Sequence, residues 1–176
     1  MDENEFLYVV DREKFEVRQY RRGESQGTVV AGGNGSENRS NQFNSPTYVF
    51  VDRDQSIYVS NWENHRVMKW VEGTTEGIIV AGGQGRGNDL TQLSNPTGVI
   101  VDQLGTVYVA DAGNDRIMCW PKEAIQGSVV IGGNGRVGQS NQLYRSDCLS
   151  FDRQGNLYVA DNEINRVRKF NIASNA

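Results

Sequence analysis

The sequence predicts an all-β fold, and three observations carry that prediction. Short runs rich in Val, Ile and Tyr are bounded by Gly, Asn and Asp, the composition and punctuation of strands. No window of useful length shows the 3.6-residue apolar period of a helix. The chain has 20 glycines but only 3 prolines among its 176 residues, which suggests many glycine-built turns between short elements.

A fourth observation organises the rest. Shifted by 50 residues, the chain matches itself, and residues 44–93 share 19 identities with residues 94–143 without a gap. Tyr8, Tyr58, Tyr108 and Tyr158 align, as do Asp52, Asp102 and Asp152, then Arg66, Arg116 and Arg166. Periodicity of this length marks an array of supersecondary units, each burying its faces only against its neighbours.

Each unit reads as four short strands. The first is "PTYVFVD" (46–52), matched by "PTGVIVD" (96–102) and "DCLSFD" (147–152). The aligned Asp then opens a turn, its carboxylate placed to accept from backbone two residues on, with Gly105 and Gly155 supplying positive φ. "IYVSN", "VYVAD" and "LYVAD" form the second strand, and "RVMKW", "RIMCW" and "RVRKF" the third. "GTVVAGG", "GIIVAGG" and "GSVVIGG" supply the fourth, their glycines letting the outer strand exit sharply.

Four antiparallel strands every 50 residues predict the blades of a β-propeller. The whole chain is one segment of such units, at about 5–43 (partial), 44–93, 94–143 and 144–173 (partial). The pattern D-x-x-G-x-[LIV]-Y-V-A-D-x-x-N-x-R-[VI] is met throughout by "DQLGTVYVADAGNDRI" (102–117). It resembles the NHL-repeat family, whose Asn-His-Leu stretch reads here Asn64-His65-Arg66. A closed ring in that family usually resembles six four-stranded blades. The strands counted here are 3, 4, 4 and 3, so the expectation is a partial propeller. It belongs either to a longer array, the favoured alternative, or to a ring closed by a homo-oligomer.

The resemblance implies a binding surface for proteins, peptides or RNA. Composition sets the order among them. The formal net charge is −4 without long runs of like charge, which disfavours RNA and an anionic membrane and leaves a protein or peptide ahead. "MDENEFLYVV" lacks the basic start and apolar stretch of a secretory signal, and no apolar run approaches a membrane span.

Catalytic relatives that the resemblance brings in use several histidines around a channel zinc, or calcium held by Glu, Asn and Asp. One histidine cannot build a three-His site. The residues entering the first strands, "NSPT", "SNPT" and "RSDC", offer Asp147 as their sole carboxylate, too few for calcium. Cys119 and Cys148 form neither a CxxC pair nor a disulfide framework. The expectation is a non-catalytic scaffold with no cofactor and no metal site. A metal-dependent lyase or hydrolase completed by further blades is the alternative.

The lone His65 aligns with Asp115 and Asn165, so it reads as a polar residue tolerating a tight turn. Asn61, Asp111 and Asp161 end their strands five residues before Arg66, Arg116 and Arg166, which predicts an Asn–Arg or Asp–Arg brace in each hairpin. Trp70, Trp120 and Phe170 share one strand position and read as packing between blades. The ligand face is expected on loops 34–45, 84–95 and 134–145 and turns 61–65, 111–115 and 161–165, both sets at the same end of the blades, and the binding candidates follow from it and from the unrepeated residues. They are Trp62 with Glu63 and His65, the loop arginines Arg86 and Arg136 as anion ligands, and Tyr48 on the innermost strand, expected to line a central channel.

Overall fold

The computed structural model describes residues 5–133 and 142–172, and among them the chain forms 14 strands in four antiparallel sheets. Blade 1 holds β1 (Leu7–Asp11), β2 (Glu16–Tyr20) and β3 (Thr28–Gly32). Blade 2 holds β4 (Pro46–Val51), β5 (Ile57–Asn61), β6 (Arg66–Trp70) and β7 (Ile78–Gly82). Blade 3 repeats it with β8 (Pro96–Val101), β9 (Val107–Asp111), β10 (Arg116–Trp120) and β11 (Ser128–Gly132). Blade 4 holds β12 (Ser146–Phe151), β13 (Asn156–Asp161) and β14 (Arg166–Asn171). Sheet order follows chain order in every blade, so each is a plain meander, and the strand count of 3, 4, 4 and 3 agrees with the sequence.

The hairpins are built as the sequence implies. Asp52 Oδ1 accepts from the backbone N–H of Asp54 at 3.0 Å and of Ser56 at 2.8 Å, and Asp102 and Asp152 repeat the arrangement. His65, Asp115 and Asn165 occupy the left-handed region with φ of 49°, 52° and 47°. Asn and Asp enter that region readily and a histidine is tolerated there, which is why one position hosts all three. His65 is a turn residue.

Three apolar clusters lie between successive blades. Val17, Phe43, Ile57, Val59, Met68 and Trp70 join blades 1 and 2. Tyr58, Val67, Leu93, Val109 and Trp120 join blades 2 and 3. Ile100, Ile117, Leu143, Leu157 and Val159 join blades 3 and 4. Alternation along each strand gives one set of side chains to the preceding blade and the other to the next. Faces turned away from the stack stay uncovered: Val167 of blade 4 is 69 % exposed, while its counterparts Val67 and Ile117 are fully buried.

Phe43, Leu93 and Leu143 enter these clusters from connecting loops. Each loop leaves the outer strand of one blade and drops a single apolar side chain into the seam before starting the next. Inner strands are sewn together as well: Thr47 Oγ1 donates to the Pro96 carbonyl at 3.2 Å, and Thr97 Oγ1 to the Ser146 carbonyl at 2.7 Å.

Trp70 and Trp120 are buried, as their shared position implied, and each lies flat against a glycine. A Cβ on Gly127 would stand 2.7 Å from the Trp120 ring, and one on Gly77 2.8 Å from Trp70. Neither glycine has positive φ, so alanine fits the backbone and fails only on space. Gly127→Ala is therefore expected to cost about 1–3 kcal/mol by overpacking, whereas Leu104→Ala, at an exposed turn, stays within about 0.5 kcal/mol. Urea denaturation of the two variants measures the difference.

Candidate binding cleft across three blades

The turn after each second strand meets the loop that enters the same blade. The Trp62 N–H donates to the Ser45 carbonyl at 3.1 Å and Glu63 N–H to Asn44 at 3.2 Å; Gly113 N–H donates to Ser94 at 2.8 Å. A Cβ on Gly113 would lie 2.4 Å from Ser94 Oγ, so close approach of turn and loop requires glycine there. Turns and loops thus share one end of the blade, as expected.

Buried arginines hold the loops down. Arg116 donates through Nε to Asp111 Oδ2 at 2.7 Å, and through its other nitrogens to the carbonyls of Asn88, Asp89 and Gln92. The other oxygen of Asp111 accepts from the Ser94 N–H at 2.6 Å. Burial pushes the Asp111 carboxyl above its ordinary value, while the bonds from Asn114, Ser94 and Arg116 pull against it. Arg66 grips the carbonyls of Asn38, Arg39 and Gln42 in the same way. The expected Asn61–Arg66 contact does not form, however. Asn61 Oδ1 accepts from the Asn44 N–H at 2.8 Å, and the buried Arg66 Nε has no partner. Where Asp111 offers a second oxygen to its guanidinium, Asn61 has an NH2 group, which donates to the Gln42 carbonyl at 3.5 Å. Arg166 does meet Asp161, at 3.3 Å, and its guanidinium is far more exposed than its counterparts.

Against that frame a cleft of about 270 Å³ opens, lined by Trp62, Asn95, Ala112, Gly113, Asp115 and Arg145. Its walls come from the turn of blade 2, the entry loop and turn of blade 3, and the entry of blade 4. Ala112 and Gly113 stand where blade 2 has Trp62 and Glu63, so the indole faces a gap that small residues leave open. Asn95 Nδ2 reaches the Trp62 carbonyl at 3.5 Å. Asp115 Oδ1 accepts from the Arg145 N–H at 2.9 Å, and the Arg145 guanidinium lies 3.6 Å from Glu163. The lining thus offers an aromatic face, an amide, a carboxylate and a guanidinium.

The sequence candidates fall into three groups. Trp62 lines the cleft. His65 stands directly behind it, its Nδ1 accepting from the Asn95 N–H at 3.1 Å; burial and the neighbouring Arg86 lower its pKa, Glu63 and Asp111 acting the other way. Glu63 and Arg86 are exposed at the flank, with Arg86 Nε donating to Ser94 Oγ at 3.2 Å. Tyr48, on the innermost strand β4, packs half-buried against the cluster between blades 2 and 3, and burial, then Cys148 of the innermost strand β12, raises its pKa. Arg136 lies outside the described residues. Among the described residues no group of three or more His, Cys, Asp or Glu is placed to hold a metal ion. A second cleft of about 280 Å³, lined in part by Tyr8, Gln19, Gln55 and Thr74, involves none of the sequence candidates.

Four meandering sheets stacked through their faces make this chain a β-propeller segment. The NHL repeat family model matches residues 93–120, within blade 3 and the loop that enters it. No curated protein sequence matches the chain. Among solved structures it is similar to an auxiliary nutrient binding protein from Bacteroides thetaiotaomicron, at 15% identity and TM-score 0.71, covering 95% of this chain and 45% of that one. It is similar also to a chain in a nidogen/laminin complex (17% identity, TM-score 0.67, covering 90% and 53%). A streptogramin B lyase is a third likeness (9% identity, TM-score 0.62, covering 99% and 54%). The chain spans about half the length of these structures, and at such identities the likeness is one of fold.

The buried arginines yield a paired test. Asp111→Asn strands the Arg116 charge and is expected to cost about 3 kcal/mol. Asn61→Asp gives Arg66 Nε its missing acceptor and is expected to raise stability by about 1 kcal/mol. Thermal unfolding of both variants reads the two signs.

Proposed function

We propose that this segment is a non-catalytic binding module, and that its ligand is a protein or peptide segment seated in the cleft at Trp62. The observation that carries this reading is the cleft's construction: six residues from three blades, a half-buried indole among them, line one opening. The lining combines apolar and polar groups, which suits an extended peptide offering side chains and main-chain amides together. Aromatic and arginine anchors dominate binding energy at protein interfaces, and Trp62 and Arg145 are such a pair. The chain's net charge of −4 gives a polyanionic nucleic acid no general attraction. Binding roles named for two of the structural likenesses are compatible with this reading and do not specify the ligand.

Peptides selected from a random display library on the wild-type protein test it directly. Trp62→Ala and Arg145→Ala, both at solvent-accessible positions, are each expected to weaken a selected peptide about tenfold or more, roughly 1.4 kcal/mol. Failure to enrich any sequence, or equal affinity for wild type and both variants by titration calorimetry, would sink the proposal.

A further inference from the structure

The cleft's wall is held by two equivalent straps, and they differ in one chemical respect. In each, the left-handed turn residue of one blade accepts from the backbone N–H of the residue entering the next blade's inner strand. Asp115 Oδ1 takes the Arg145 N–H at 2.9 Å; His65 Nδ1 takes the Asn95 N–H at 3.1 Å. Both donating residues are themselves left-handed, Asn95 at φ 50° and Arg145 at φ 43°, and both line the cleft. The corresponding residue in blade 1 is Phe15, which has no side-chain acceptor, and that gap is bridged by Arg12 Nη2 donating to Ser45 Oγ at 3.0 Å.

A carboxylate stays an acceptor down to acidic pH. An imidazole does not. Nδ1 can accept only while the ring is neutral with its proton on Nε2. Protonation turns Nδ1 into a donor facing another donor, and the strap opens. We propose that His65 is the positioning residue of the cleft: it holds Asn95, and through it the Trp62 carbonyl, while neutral, and releases that wall when protonated. The proposal rests on the binding reading above for its functional meaning.

The charged groups facing His65 are Arg86 from the loop of blade 3, Glu63 from its own turn and Asp111 from β9. Burial and Arg86 lower its pKa against the pull of Glu63 and Asp111. The folded value therefore lies below the unfolded one, near 6.5. The strap's contribution is complete above that unfolded value, and it is lost as pH falls through the lower, folded one.

The test uses the whole chain and two signals that need no ligand, the Asn95 amide resonance and Trp62 emission. Trp62 emission is isolated by comparison with Trp62→Phe. Titrated from about pH 7.5 to about pH 5, both signals are expected to move together in wild type with a midpoint below about 6.5. In His65→Asp, which copies Asp115, both are expected to stay flat, and the affinity of a display-selected peptide, expected to fall about fivefold in wild type, becomes independent of pH. Signals that do not titrate in wild type, or titrate equally in His65→Asp, overturn the proposal. Signals that behave as expected while no peptide can be selected support the strap and overturn the binding reading, so the two fail separately.

Discussion

Everything in this structure depends on one constraint: a four-stranded sheet of five-residue strands cannot bury either of its faces alone. Each blade is two-sided, and each side finds cover only on a neighbour. The three apolar clusters are therefore seams, not blade interiors, and they contain the largest buried side chains, Trp70 and Trp120 among them. Glycine before each outer strand is a consequence, because an aromatic ring, Tyr20, Trp70 or Trp120, lies against it. So are the single apolar side chains that the loops deliver, since each seam closes only when the connecting loop has crossed it.

The cleft is a by-product of the same seams. Turns and entry loops from adjacent blades must meet wherever the sheets meet, and their side chains decide whether the junction is filled. Between blades 2 and 3 a large residue, Trp62, is set against two of the smallest, Ala112 and Gly113. The junction stays open there. Arg66 and Arg116 tie down the loops of this junction through their carbonyls without using any residue of the lining.

Strands, hairpin turns and the propeller itself were legible in the sequence because they are local or periodic. Alternation and glycine placement act within a few residues, and a 50-residue period exposes which positions must do the same job. His65 is the clearest case: its alignment with Asp115 and Asn165 identified a turn residue, and the backbone agrees. What could not be read was convergence across a seam. Asn95 and Arg145 look like ordinary loop residues, and nothing local says that they face Trp62. Phe43, Leu93 and Leu143 were missed because one apolar residue in a polar loop has no period, although their shared register was a usable signal. Asn61 shows a finer limit. Asn and Asp are alike as turn-formers, yet Asp111 has a second oxygen for its guanidinium where Asn61 has a donor.

The loop that carries Phe43 has a consequence for how such a chain can lengthen. It leaves blade 1 after β3, closes the seam, and only then begins blade 2, so each 50-residue unit carries one blade and the loop that closes the next seam. Every seam uses the same register. Duplication of any 50-residue window, wherever its boundaries fall, therefore supplies one complete set of strands, one loop and one seam. An array with that property can gain or lose units without respecting module borders, and what distinguishes one junction from the next is left to a few residues such as Trp62 and His65.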